Sequence, residues 1–163
     1  MASSFEGLFV DADLANVAFS YCRFNGFDNH GSFLMQIQDS PMLSIEHSSF
    51  DAFFNSSVIS TSSVDSLNVH NTTFASDASA LSSNQQTRRA ILADSTTGNI
   101  RDCSFERMLS TDNGGAMLLL NSKMTLSNNT FRENFAEKGG AVEFSCDLGE
   151  GEDCQLTLDR NTF

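Results

Sequence analysis

Apolar and polar positions along the chain fall into a short pattern that recurs six times. It reads VAFSYCRF, LSIEHSSF, LNVHNTTF, GNIRDCSF, MTLSNNTF and LTLDRNTF, ending at Phe24, Phe50, Phe74, Phe105, Phe131 and Phe163. Five residues before each Phe is an apolar residue: Phe19, Ile45, Val69, Ile100, Leu126 and Leu158. Two residues earlier stand Val17, Leu43, Leu67, Gly98, Met124 and Leu156, and only Gly98 breaks that column. Apolar positions two apart predict a strand with one buried face. Intervening residues such as Ser44, Asn68 and Thr125 are then expected to face solvent.

A second apolar segment precedes each of these strands: GLFV, FLMQI, SVI, AILA, AMLLL and AVEF. Gly114-Gly115 and Gly139-Gly140 open two copies, and Gly31-Ser32 and Ser56-Ser57 fill a similar place. Small residues there suit a tight corner. Asp39-Ser40, Asp94-Ser95 and Asn121-Ser122 mark the next corner, since Asx and Ser side chains bond nearby backbone in turns. Phe27, Phe53, Phe54, Met108, Leu109 and Phe135 follow the recurring Phe and are expected to supply a third short strand.

The Phe-to-Phe spacings are 26, 24, 31, 26 and 32 residues. A fixed local pattern with a variable period predicts a solenoid with loops of unequal length. The expected fold is all-β: a right-handed parallel β-helix of about six coils, three short strands per coil, forming one domain over 1–163. Stacked coils about 4.8 Å apart give a rod roughly 29 Å long. The six Phe are expected to stack as an internal ladder, each pair gaining about 0.5–1.5 kcal/mol beyond burial.

Composition agrees with this pattern. Forty per cent of the 163 residues are hydrophobic and only 18% charged, so Ser, Thr and Asn supply much of the polar surface. Fifteen of sixteen aromatics are Phe, as a dry column requires, because it offers no partner to a hydroxyl or indole. The net charge of −12 argues against nucleic acid and anionic lipid as partners. No apolar run approaches a membrane span, so no membrane insertion is expected in this segment. The first residues lack the basic and apolar regions of a secretory signal. No helix pattern caps the first coil and the last ends on a ladder Phe, so the rod is expected to continue, or to be covered by another chain.

The string NNTFRENFAEKGGAV, 128–142, resembles the repeat of the polymorphic outer-membrane proteins of chlamydiae. Phe131 and Asn134 match its FxxN element, and Gly139, Gly140 and Ala141 match GGA; Gly114–Met117 is a second GGA-type match. The first four coils lack the pair, with Met108 and Asp77 at the Asn position. Similar repeats occur in large surface proteins of algae, ciliates and other protists. The resemblance implies a β-helix of pectin-lyase-like type and a surface role, and it brings no catalytic residues.

Two insertions are expected, at 75–89 and 146–154. The first is Ser- and Gln-rich and is read as an exposed, mobile loop in which Arg88-Arg89 is open to proteases. The second, CDLGEGEDC, places Cys146 and Cys154 around an acidic loop. A bridge there would stabilise a hairpin by roughly 2.5 kcal/mol and imply an oxidising compartment. Asp147, Glu150, Glu152 and Asp153 form a weak candidate for Ca²⁺, without EF-hand spacing. Cys22 and Cys103 lie three coils apart, about 14 Å, and are expected to be free thiols in or beside the stack. Asn55, Asn71 and Asn128 head N-x-S/T sequons.

Candidate chemistry is sparse. The NTD, DD, GHG and RIK motifs of polygalacturonases are missing, and Asp94, Arg101 and Asp102 are not repeated as a lyase Ca²⁺ face requires. His47 and His70 on adjacent coils are expected to point outward about 5 Å apart. No catalytic, cofactor or metal residues are assigned. The expected function is a non-catalytic structural or adhesive module of a cell-surface or extracellular assembly. Its partners are other chains, further coils, or carbohydrate. The alternatives are a carbohydrate-binding or polysaccharide-cleaving domain and a bacterial autotransporter passenger.

Overall fold

A computed structural model describes residues 10–25, 33–53, 57–76, 89–147 and 153–163. It is an all-β parallel solenoid. Strands take three places in each coil. The first place holds β1 (Val10–Asp13), β4 (Phe33–Gln38), β7 (Ser57–Ser62), β10 (Ile91–Asp94), β13 (Met117–Leu120) and β16 (Val142–Ser145). The second holds β2 (Val17–Ser20), β5 (Leu43–Glu46), β8 (Leu67–His70), β11 (Thr97–Arg101), β14 (Lys123–Ser127) and β17 (Gln155–Asp159). The third holds β3 (Arg23–Asn25), β6 (Ser49–Phe53), β9 (Thr73–Ser76), β12 (Ser104–Glu106) and β15 (Thr130–Arg132). Like strands pair in parallel into sheets of six, six and five. Five coils are complete, and the sixth contributes β16 and β17, so the complete coils number one fewer than the sequence pattern predicts.

One expectation is corrected. The third strand is not supplied by residues that follow the ladder Phe; the Phe itself is its central residue in β3, β12 and β15 and lies within β6 and β9. The chain turns three residues before it, at Tyr21, His47, Asn71, Asp102, Asn128 and Arg160, all in the left-handed region with φ between 46° and 56°. That corner re-aims the strand so that Phe points inward. Of the residues expected to form the third strand, only Phe53 lies in one; Met108 lies between β12 and the isolated bridge that pairs Leu109 with Phe135, and Phe27 and Phe54 are outside the described residues.

Register is kept through the stack: Phe24 aligns with Phe50, Phe50 with Phe74, and Phe105 with both Phe74 and Phe131. Neighbouring ring centroids from Phe24 to Phe163 are 4.8–5.0 Å apart and the planes tilt by at most 11°. The β-strand repeat itself imposes this spacing. Phe50, Phe74 and Phe105 are fully buried, whereas Phe163 on the last coil is 66% exposed. Around them pack Met35, Ile37, Leu43, Ile45, Leu67, Ile91 and Leu126. The Gly98 gap has a steric cause: a Cβ there would stand 2.4 Å from the Leu67 carbonyl oxygen.

Candidate functional site

With the interior filled by stacked side chains, the functional features are the corners, the disulfide and the outer faces. The corner before the third strand carries two columns, one inside and one outside. The inner column is Cys22, Ser48, Thr72, Cys103, Asn129 and Asn161, each two residues before a ladder Phe. Ser48 Oγ accepts from Cys22 N–H at 3.1 Å and donates to the Glu46 carbonyl at 2.8 Å. Asn129 Oδ1 accepts from Cys103 N–H at 3.0 Å, and its Nδ2 donates to the Ile100 carbonyl at 2.9 Å. Asn161 repeats this one coil on, toward Asn129 N–H and the Leu126 carbonyl. These side chains satisfy backbone groups that the left-handed corner removes from the sheet ladders.

Cys22 and Cys103 are both free thiols of this inner column, as expected. Cys103 is buried, and its thiol donates to the Arg101 carbonyl at 3.1 Å. Burial pushes its pKa up to about 11.

The outer column is the left-handed residues themselves. Tyr21 is 79% exposed and stacks on His47 at 4.9 Å. Asn71 Nδ2 lies 2.7 Å from His47 Nδ1, so the histidine nitrogen accepts in the Nε2–H tautomer. His70 Nε2 pairs with Asp102 Oδ2 at 3.3 Å, and Asn128 Nδ2 donates to Asp102 Oδ1 at 3.3 Å. His47 and His70 are 5.4 Å apart, edge to face, close to the expected spacing. They are not equivalent positions, however: His47 is the left-handed corner residue, and His70 is the last residue of β8.

The FxxN and GGA elements have a structural meaning at the third corner. Arg107 and Glu133 turn there with φ of 57° and 55°. Asn134 Oδ1 accepts from Met108 N–H at 3.0 Å, and its Nδ2 donates to the Phe105 carbonyl at 3.0 Å. Gly114 and Gly139 are left-handed, and a Cβ on Gly115 would stand 1.9 Å from the Gly140 carbonyl oxygen. Only glycine tolerates both demands.

The insertion read as 75–89 is narrower at both ends. Ala75 and Ser76 close β9, and Arg89 is 5% exposed rather than open to a protease; residues 77–88 are outside the described residues. Arg89 donates to the Gly114 carbonyl at 3.0 Å, Ser110 Oγ at 3.0 Å, and the Asn113 carbonyl, and pairs with Asp112 at 3.3 Å. Burial lowers the Arg89 pKa, opposed by the Asp112 charge, and the guanidinium stays protonated. Asp112 is held below the usual carboxylate range, first by the Ser110 hydroxyl at 2.6 Å and further by Arg89. Neither Arg89 nor the inner Asn column was assigned a role from sequence. Aligning the coils on Phe does show small polar residues at the inner position, but an Arg pair beside a Ser-rich stretch does not announce that Arg89 is buried.

Cys146 and Cys154 form the expected disulfide, with Cα atoms 6.4 Å apart. Asp147 N–H donates to Asn121 Oδ1 at 2.8 Å, and Lys123 Nζ pairs with Asp153 at 3.1 Å. Both described flanks of the disulfide are therefore tied to the preceding coil, beside an open polar groove lined by Ser95, Thr96, Thr97, Asn121, Lys123 and Asp153. Glu150 and Glu152 of the Ca²⁺ candidate and Asn55 of the first sequon lie outside the described residues. Among the described residues no three His, Cys, Asp or Glu groups converge as a metal site. No helix among them is long and apolar enough to cross a membrane, which says nothing of strands. No protein-family model, curated protein or solved structure matches this chain.

Proposed function

We propose that this chain is a structural or adhesive β-helix module of a large cell-surface or extracellular assembly, and that it performs no catalysis. The carrying observation is the unbroken ladder of six Phe in register. A dry, filled interior makes a stiff rod, and variation is confined to corners and insertions. The Cys146–Cys154 disulfide favours an oxidising compartment. Further coils and other protein chains are the partners that such a rod would stack against, in keeping with the surface role implied by the FxxN and GGA elements.

The test is location on intact cells. A membrane-impermeant label and an antibody against the chain are expected to reach it without permeabilisation, with one disulfide and two free thiols by non-reducing mass spectrometry. Recovery only from the cell interior, with four reduced cysteines, would overturn the proposal.

Carbohydrate binding is the second reading, favoured by the exposed Tyr21 at the head of a polar outer column. Polysaccharide arrays probed with the wild-type chain and Tyr21→Ala would reveal it as retention that the substitution abolishes.

A further inference from the structure

The outer corner column assigns a modification site that deepens, and rests on, the extracellular reading. We propose that Asn71 and Asn128 both carry N-linked glycans, forming a stripe along one edge of the rod. Both head sequons, Asn71-Thr72-Thr73 and Asn128-Asn129-Thr130. In both the fold presents the acceptor in the same way. Each Asn is exposed, in the left-handed corner at φ 46° and 53°, while the middle residue, Thr72 or Asn129, is 1% exposed. The third residues, Thr73 and Thr130, open β9 and β15 and are exposed. The adjacent asparagines Asn128 and Asn129 are thus sorted, one for solvent and one for the inner column.

The amide chemistry is compatible with the fold. Asn71 Nδ2 has one partner, His47 Nδ1, and Asn128 Nδ2 has one, Asp102 Oδ1. A primary amide has two N–H groups. Glycosylation consumes one and leaves one, which matches the single hydrogen bond that each makes to the preceding coil. The co-reactant is a lipid-pyrophosphate-linked oligosaccharide. Its C1–O bond to the pyrophosphate breaks as C1 bonds to Nδ2, one amide proton is released, and the lipid pyrophosphate departs.

Spacing along the column also fits. His47-Ser48-Ser49, Asp102-Cys103-Ser104 and Arg160-Asn161-Thr162 keep the hydroxyl residue but lack Asn at the first position. The coil between the two acceptors therefore has no sequon at this corner, and the two attachment points lie about 10 Å apart, two strand spacings.

The experiment is glycopeptide mass spectrometry on the protein purified from its own cells, with enzymatic glycan release in heavy-oxygen water. Both Asn71 and Asn128 are expected to convert to heavy-oxygen Asp. Asn71→Asp and Asn128→Asp, each placing at the corner the residue type already present at Asp102, should each remove the mass of one glycan while the disulfide still forms. Protein found on the surface with its disulfide intact, but unmodified at either Asn, overturns this inference and leaves the surface role standing. Reduced, unglycosylated protein confined to the cell interior overturns both.

Discussion

Two buried columns run side by side through this rod, two residues apart in every coil, and they solve opposite problems. The Phe column is uniform because it needs only a flat shape repeating every 5 Å. The inner corner column varies from Cys to Ser, Thr and Asn, because it must return hydrogen bonds to backbone groups at a left-handed turn. Within it, chemistry sets how firmly coils are joined. Ser48 accepts a hydrogen bond from the previous coil, from Cys22 N–H, but donates within its own coil, to Glu46. Asn129 spends both ends of its amide on the previous coil, at Cys103 and Ile100. Equal burial therefore does not mean equal tolerance: one column fails by cavity, the other by orphaned polar groups.

The largest expected effect breaks the first column. Phe74→Ala removes a ring stacked on both sides and should cost about 3–5 kcal/mol in denaturant unfolding. Asn129→Ala breaks the second. It orphans the Cys103 N–H, removes a hydrogen bond to the Ile100 carbonyl and should cost about 2–3 kcal/mol, while Asn129→Ser, which keeps an acceptor, should recover part of this. Reducing the Cys146–Cys154 bridge tests a feature outside both columns. The expected loss is about 2.5 kcal/mol from the short loop, with the ladder's near-ultraviolet Phe signal unchanged below the transition.

The smallest effect sharpens the contrast within the inner column. Cys103 has a thiol where other coils have hydroxyls or amides, and its pKa is raised to about 11. A raised acid favours its neutral form in the fold, so that contribution to stability is fully present below the unfolded thiol value of about 8.5. It is lost as pH rises from there through about 11, and thermal melts across this window should show a decline that Cys103→Ser abolishes. At pH 8, iodoacetamide should modify partly buried Cys22 well before Cys103.

Much of the fold was legible in the chain because a solenoid writes its structure locally. Each coil repeats the same inward and outward alternation, so aligning the six Phe also aligns Val17 with Leu43 and Phe19 with Ile45, as their pairing has it. The site was less legible. The free state of Cys22 and Cys103 and the Cys146–Cys154 bridge followed from coil spacing and loop length. Arg89 did not, because two of its partners are the carbonyl groups of Asn113 and Gly114, which no side-chain pattern announces, and the other two, Ser110 and Asp112, are more than 20 residues away.

The sequence by itself determined that parallel coils stack on a column of Phe, since period-two alternation and a recurring aromatic leave few other burials. The corners at Asp39, Ser95, Asn121, Gly114 and Gly139 were also legible, but only the tertiary structure decided the corner between the second and third strands. Left-handed φ at Tyr21, His47 and Arg160 belongs to residues with no common turn propensity. Tyr21 and His47 each donate their backbone N–H to the next coil, to the Glu46 and His70 carbonyls, and this inter-coil hydrogen bonding offsets the local strain of the corner.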